Sequence, residues 1–243
     1  MTSFSVRVLT NITKEYPDMF KVIIFKEPKV FVKSNNVKRY KELVSDNYSP
    51  SVSSLNRTKE LIRDIVLCND FELFCTFTFD PSKVDSYSFP TCWRVMSGWL
   101  HHQQNRSRER NKDFKYLIVP EQHKSGRWHF HALVSGYVGT LHDSGLKSYS
   151  LRPIYNMTSF RSGFTTAVKI DSKEGVSSYV SKYITKDFIR VFNQRRFFCS
   201  RNLVRPVKKC NSDLFKSVLP LFRKKVADAR SFDEFVIDKN FLT

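Results

Sequence analysis

The chain has 243 residues, with 41 Lys and Arg against 23 Asp and Glu, giving a formal net charge of +18. That length fits one domain with additions or two small ones, and that charge calls for a polyanionic partner, most simply nucleic acid. No apolar run reaches the length of a membrane span, and the absence of a G-x-x-x-x-G-K-[ST] loop excludes a P-loop nucleotide-hydrolysing module.

The opening stretch MTSFSVRVLT lacks the charged-then-apolar order of a secretory leader, so a cytosolic location is expected. Cys68, Cys75, Cys92, Cys199 and Cys210 are odd in number and widely spaced, with no C-x-x-C. They read as free thiols in a reducing compartment and not as a zinc finger. Lys21–Phe25 and Val30–Val32 are strand-like and flank Lys26-Glu-Pro-Lys29, which predicts a β-hairpin. Ser34 to Tyr48 is polar and reads as a loop. Leu55, Leu61, Ile62, Ile65 and Val66 then recur at helical spacing behind a run of serines able to cap the start.

Phe71–Phe79 is apolar over most of its length and predicts a central strand, with Thr76 and Thr78 interrupting an aromatic face and Asp80-Pro81 ending it. Thr91–Asn111 predicts a helix with Trp93, Met96 and Leu100 in one stripe and Val95 and Trp99 beside it. Its far end carries Arg106, Arg108 and Arg110. A solvated face and a phosphate-contacting surface are equally supported there.

Tyr116–Pro120 and Trp128–Val134 read as strands joined by the polar turn Gln122-His-Lys-Ser-Gly126, a second hairpin. Successive strand side chains point to opposite faces, so His129 and His131 share one face. Glu121, at the end of the preceding strand, can add an oxygen across the hairpin. Two imidazoles and one carboxylate leave coordination positions open for a substrate, as a catalytic metal needs. A lone strand histidine is ordinarily a half-buried structural residue; two at i and i+2 with a carboxylate nearby point to a metal site. By itself this ligand set would also accept zinc or iron.

Residues 136–162 read as irregular and, being long, as a functional excursion. Phe164–Ile170 is another strand. Tyr179-Val-Ser-Lys-Tyr-Ile-Thr-Lys-Asp187 reads as a helix, on which Tyr179 and Tyr183 share one face and Lys182 and Lys186 form a parallel pair. Taken alone this is an amphipathic helix with two half-buried tyrosines. Arg190, Arg195, Arg196 and Arg201 are then interleaved with Phe192, Phe197 and Phe198. That pattern suits single-stranded DNA, with phosphates on the cations and bases on the rings, and it equally fits a last strand with a solvated edge. Leu214–Val226 reads as an amphipathic helix containing Pro220.

Three of these stretches, in order, resemble the motifs of the HUH endonucleases, specifically the two-tyrosine rolling-circle replication initiators (Rep) of small phages and plasmids. Phe74-Cys-Thr-Phe-Thr-Phe-Asp80 is similar to the first motif. Glu121 with His129-Phe130-His131 is similar to the metal motif, and Tyr179 to Lys186 to the nucleophile motif. The resemblance covers about residues 67–190. It implies an α+β protein of the HUH nuclease fold, a central antiparallel sheet flanked by helices (ferredoxin/RRM-like). On that reading residues 1–66 are an N-terminal extension packed on the core, residues 67–200 the endonuclease, and residues 201–243 a helical tail.

The resemblance further implies Mg2+ or Mn2+ on His129, His131 and Glu121, with Asp80 positioning its strand rather than acting as a ligand. His123 is an extra imidazole that could compete for the third position. Tyr183 is expected to make the first cleavage and Tyr179 the second transfer, with Lys182 and Lys186 beside them. The implied activity is nicking one strand at an origin, leaving a 5′-phosphotyrosine and a free 3′-hydroxyl, and later rejoining the strand. Arg106, Arg108, Arg110, Arg195 and Arg196 are the expected DNA contacts. The expected partners are single-stranded DNA, an origin hairpin, and a host helicase and polymerase in the cytosol of a bacterial cell, with no membrane. Motif order disfavours a relaxase; a transposase of the same superfamily and a non-catalytic DNA-binding repressor are the alternatives.

Overall fold

A computed structural model of the chain describes residues 4–34, 52–173, 175, 195–211, 225–228 and 232–241. The elements in chain order are β1 (Phe4–Glu15), β2 (Met19–Ser34), α1 (Val52–Leu67), β3 (Leu73–Phe79), α2 (Phe89–Glu109), β4 (Lys115–Gln122), β5 (Trp128–Ser135), β6 (Leu141–Lys147), β7 (Pro153–Met157), β8 (Gly163–Lys169), β9 (Phe198–Cys199), β10 (Val207–Cys210), β11 (Lys225–Asp228) and β12 (Phe232–Asp238), closed by a 3-10 turn at Lys239–Phe241. They divide into two compact units, Met1–Asp46 with Arg205–Thr243, and Asn47–Val204.

In the unit Asn47–Val204 seven strands form one antiparallel sheet, ordered β6-β7-β8-β3-β5-β4-β9. The sequence LFCTFTF of β3 sets the two faces: Leu73, Cys75, Phe77 and Phe79 are buried, and the residues between them are half-buried. The buried set packs under α2, whose Cys92, Met96, Trp99 and Leu100 meet Phe130, Ala132 and Val134 of β5. Ser88 starts α2 by accepting the Thr91 amide at 3.4 Å, and Pro90 occupies the first turn, where its missing N–H leaves nothing unpaired. On the opposite face α1 sets Leu55, Ile62, Ile65 and Val66 over Leu117, Val119 and Leu133. The next residues along β4 and β5 on that face are Glu121, His131 and His129.

The expected α+β architecture with antiparallel sheets is the one found, consistent with a sheet-dominated HUH/RRM-like fold. One expectation fails inside this unit. Residues 136–162, read as irregular, contain the antiparallel pair β6–β7 at the sheet edge. The sequence LHDSGLK of β6 has no alternation to read because this edge strand buries none of its side chains.

The unit Met1–Asp46 with Arg205–Thr243 is a separate five-stranded antiparallel sheet, ordered β10-β1-β2-β12-β11. The predicted reversal at Lys26–Lys29 does not occur. The chain turns between β1 and β2, where the Tyr16 amide donates to the Met19 carbonyl at 2.9 Å. β2 instead runs straight through the lysine-proline stretch as a bulge, with Leu9 opposite Lys29 and Asn11 opposite Ile24. Pro28 is tolerated there because a bulge does not need its missing ladder N–H. The other edge of β2 is filled by β12, and Lys21 reaches Glu234 at 3.1 Å in a largely buried pair.

The chain therefore divides differently from the grouping into residues 1–66, 67–200 and 201–243. α1 belongs with the larger sheet, and the N-terminal strands are completed by strands from the C-terminal end. Of the helix expected over Leu214–Val226, residues 212–224 lie outside the described residues, and Lys225–Asp228 is strand β11.

Candidate active site

Strand register assembles the site. Glu121, His129, Thr78 and Phe164 form one row of directly opposed residues across β4, β5, β3 and β8. Val119, His131, Thr76 and Thr166 form the next row. β8 approaches β3 closely here because residue 163 is glycine; a Cβ would overlap the Thr78 carbonyl. At the other end of the β4–β5 hairpin Gly126 takes a φ of +84°, which the turn His123–Arg127 requires.

Each histidine is held at the same ring atom. Thr76 Oγ1 lies 3.2 Å from His131 Nδ1, and Thr78 Oγ1 lies 3.0 Å from His129 Nδ1. His131 also stacks on Phe74, with planes 4° apart. Its Nε2 meets Glu121 Oε2 at 2.7 Å. An ionised carboxylate only accepts, so in this arrangement Nε2 carries the proton and Nδ1 accepts from Thr76. On binding a cation through Nε2 the tautomer reverses, and Nδ1–H donates to the same hydroxyl. A threonine serves either state, which a carbonyl or an apolar side chain does not. Thr76 and Thr78 thus act as the outer partners that orient ligating imidazoles.

Burial holds both His129 and His131 below the usual value of 6.5, outweighing the opposing pull of Glu121. Both are therefore neutral near pH 7, the form a metal requires. Two donor atoms each about 2.1 Å from one octahedral cation lie about 3.0 Å apart, so the Glu121–His131 pair is a few tenths of an ångström from accommodating one. No three His, Cys, Asp or Glu groups among the described residues are already gathered tightly enough to hold an ion as they stand. His129 would close the set, being directly opposite Glu121 and two residues from His131. The residues present fit a small oxygen- and nitrogen-liganded cation on these grounds.

His123 is on the turn, its Nδ1 3.2 Å from Ser125 Oγ and its ring 5.7 Å from that of His129. Asp80 turns away into its own loop. Its Oδ1 accepts from the Ser82 amide at 3.0 Å and the Ser82 hydroxyl at 2.7 Å, which together with Lys83 lower its pKa. It terminates β3, as its sequence position suggested.

Tyr179, Tyr183, Lys182 and Lys186 lie outside the described residues. Arg106 and Arg108 are in the last turn of α2, and Arg110 caps it while donating to the Val138 carbonyl at 2.9 Å. Arg108 is exposed and lines an open cleft of about 870 Å3 with Lys112, Arg201, Asn202 and Tyr116. Tyr116 and Glu121 are five residues apart on β4, about 17 Å. Arg195 is exposed. Arg196 is not a surface cation: it is buried, and its guanidinium donates to the Ser54 carbonyl at 2.8 Å and the Thr58 hydroxyl at 3.0 Å, tying its segment to α1. Its expected DNA contact is withdrawn on that ground.

Thr76, Thr78 and Phe164 belong to the site, and the sequence alone did not name them for it. The threonines were visible as breaks in an aromatic strand, and their partners became evident only through register. Phe164 is 68% exposed, on the face that carries the histidines.

Residues 72–188 match the model of a family of replication-associated proteins, the ORF2 type. This is just under half of the chain, and it contains β3 to β8, Glu121, both histidines and both tyrosines. The matched family is one of replication-associated proteins, consistent with a Rep-type replication initiator. No curated protein and no solved structure matches the chain. No helix among the described residues is long and apolar enough to cross a membrane.

Proposed function

We propose that the chain is a replication initiator endonuclease that nicks one DNA strand at an origin by tyrosine attack and later rejoins it. The observation that carries the reading is the Glu121–His131 contact at 2.7 Å, beside His129, with each imidazole braced by a threonine, inside the segment matching a replication-associated family.

Glu121, His131 and His129 would hold Mg2+ or Mn2+, which supplies Lewis-acid stabilisation of charge developing on the phosphate. Thr76 and Thr78 keep the imidazole rings in one orientation throughout. Tyr183 makes the first transfer: its phenol oxygen bonds to phosphorus, the bond to the 3′ oxygen breaks, the phenol gives up its proton and the leaving oxygen gains one. The 5′ end is left esterified to the protein, so the bond energy is kept and the strand can be rejoined. A phenol has a pKa of about 10, and Lys182 favours its ionised form. Tyr179, one helical turn away, takes the second transfer with Lys186 beside it. Phe164 offers the open sheet face an aromatic surface for a base, while Arg108, Arg106 and Arg195 contact phosphates. With no P-loop in the sequence, strand separation falls to a host helicase.

The test is incubation with a single-stranded oligonucleotide carrying the origin hairpin, followed by denaturing electrophoresis. A protein–DNA species that survives denaturation is expected with Mg2+ or Mn2+. It should be absent in EDTA and absent for His131→Ala, whose circular dichroism should match the parent. Full adduct formation in EDTA would sink the metal-assisted reading.

A further inference from the structure

The end of the larger sheet that carries His129 also holds a cavity of about 250 Å3, lined by Thr78, Ser86, His123, Ser125, Arg127 and His129. It is smaller than the ~300–1,000 Å3 of drug-sized pockets and several times the ~30 Å3 share of one water, a size suited to one small polar group. No carboxylate lines it. Arg127 brings a cation that makes no ion pair among the described residues. Its Nε donates to the Tyr87 hydroxyl at 3.3 Å and its guanidinium lies 5.6 Å from that ring, which positions it without neutralising it.

Ser86 is the second, independent observation. It is 2% exposed, and its buried hydroxyl has no hydrogen-bond partner among the described residues. Its backbone is fixed to the strand that bears the histidines, because the Trp128 amide donates to the Ser86 carbonyl at 2.8 Å. A buried hydroxyl left unpaired costs stability unless something outside the chain accepts its proton. A wall with a fixed cation, an orphaned donor and no acid fits an anion with oxygen acceptors.

We propose that this cavity is a phosphate subsite, holding the phosphodiester group adjacent to the one that is cut. The proposal rests on the nicking reading for its place in the reaction, and on its own residues for binding. Ser86 donates to a non-bridging oxygen, Arg127 neutralises the charge, and the attachment to β5 holds this phosphate at a set distance from His129. The linkage to be cut is thereby set in register by its neighbour.

Two measurements test it. In the first, metal-free protein is titrated with inorganic phosphate while the Trp128 indole and His129 ring signals are followed by NMR. Saturable shifts are expected in the parent, and affinity about tenfold weaker or worse in Arg127→Gln and in Ser86→Ala. Ser86→Ala should melt no lower than the parent, because an unpaired hydroxyl stabilises nothing. Absent shifts, or equal affinity in parent and variants, overturn the subsite. In the second, oligonucleotides carry one uncharged methylphosphonate at successive linkages. The parent should lose cleavage at a single linkage beside the cut, and Arg127→Gln should be indifferent to that substitution. If the parent binds phosphate and cuts no oligonucleotide, the nicking reading fails and the subsite stands. If it cuts and no linkage distinguishes parent from Arg127→Gln, the subsite fails.

Discussion

Thr78 and His129 face each other across β3 and β5, with the threonine hydroxyl 3.0 Å from the Nδ1 atom of the ring. Thr76 and His131 repeat the relationship one row along. Removing the hydroxyls while keeping the branched shape should loosen the rings without opening a cavity. Thr78→Val or Thr76→Val is expected to weaken Mn2+ affinity about 10–100-fold, the usual cost of losing an outer partner. Thr→Ser should recover most of it. Isothermal titration with Mn2+ reads this directly, and unchanged affinity in both valine variants would show that the threonines only fill the sheet.

The tyrosine pair has separable roles. Tyr→Phe removes the nucleophilic oxygen and leaves the ring, so lost activity reports chemistry. Tyr183→Phe should form no covalent adduct with an origin oligonucleotide. Tyr179→Phe should form the adduct and release few closed circles, and the double variant should bind DNA and do neither. Adduct formation by Tyr179→Phe failing while Tyr183→Phe succeeds would reverse the assignment. An adduct in the double variant would place the nucleophile elsewhere.

Phe164 shares a row with Thr78, His129 and Glu121 and is 68% exposed. Strands are about 4.8 Å apart, so its ring stands roughly 10 Å from the His129 strand, within reach of a nucleotide held at the site. Phe164→Ala should weaken single-stranded DNA binding by about 1–3 kcal/mol, the range for one lost base stack. Phe164→Trp should restore it, and the melting temperature should hold because little surface is buried there. Fluorescence anisotropy with a labelled oligonucleotide distinguishes this from an inert exposed ring, for which all three proteins would bind alike.

Gln103 offers a stability test away from the site. It is fully buried on α2, and neither its amide nitrogen nor its oxygen has a partner among the described residues. Gln103→Met keeps the unbranched shape and removes both polar atoms, which should stabilise by about 1–3 kcal/mol. Melting should rise by roughly 2–4 °C for each kcal/mol in a domain of this size. A fall in melting temperature would mean that the amide is satisfied in solution, for instance by an internal water.

The sequence by itself determined the elements whose periodicity is enforced by burial. β3, β4, β5 and α2 each set an apolar face against one core, so their alternation or stripe is written in residue type, within two or three residues of the ends found. The same alternation placed His129 and His131 on one face and brought Glu121 within reach of it. Tertiary structure decided what depends on register and on distant pairing. Which side chain stands beside His129 is a matter of which residues of β3 oppose β5, and no local pattern names Thr78 for that place. The closing of β2 by β12 joins opposite ends of the chain, and the edge pair β6–β7 buries too little to leave a pattern. Arg195 and Arg196 are adjacent and chemically identical, yet one is exposed and the other is buried against α1. Charge alone could not separate them, because burial is a property of the packed neighbours and not of the residue.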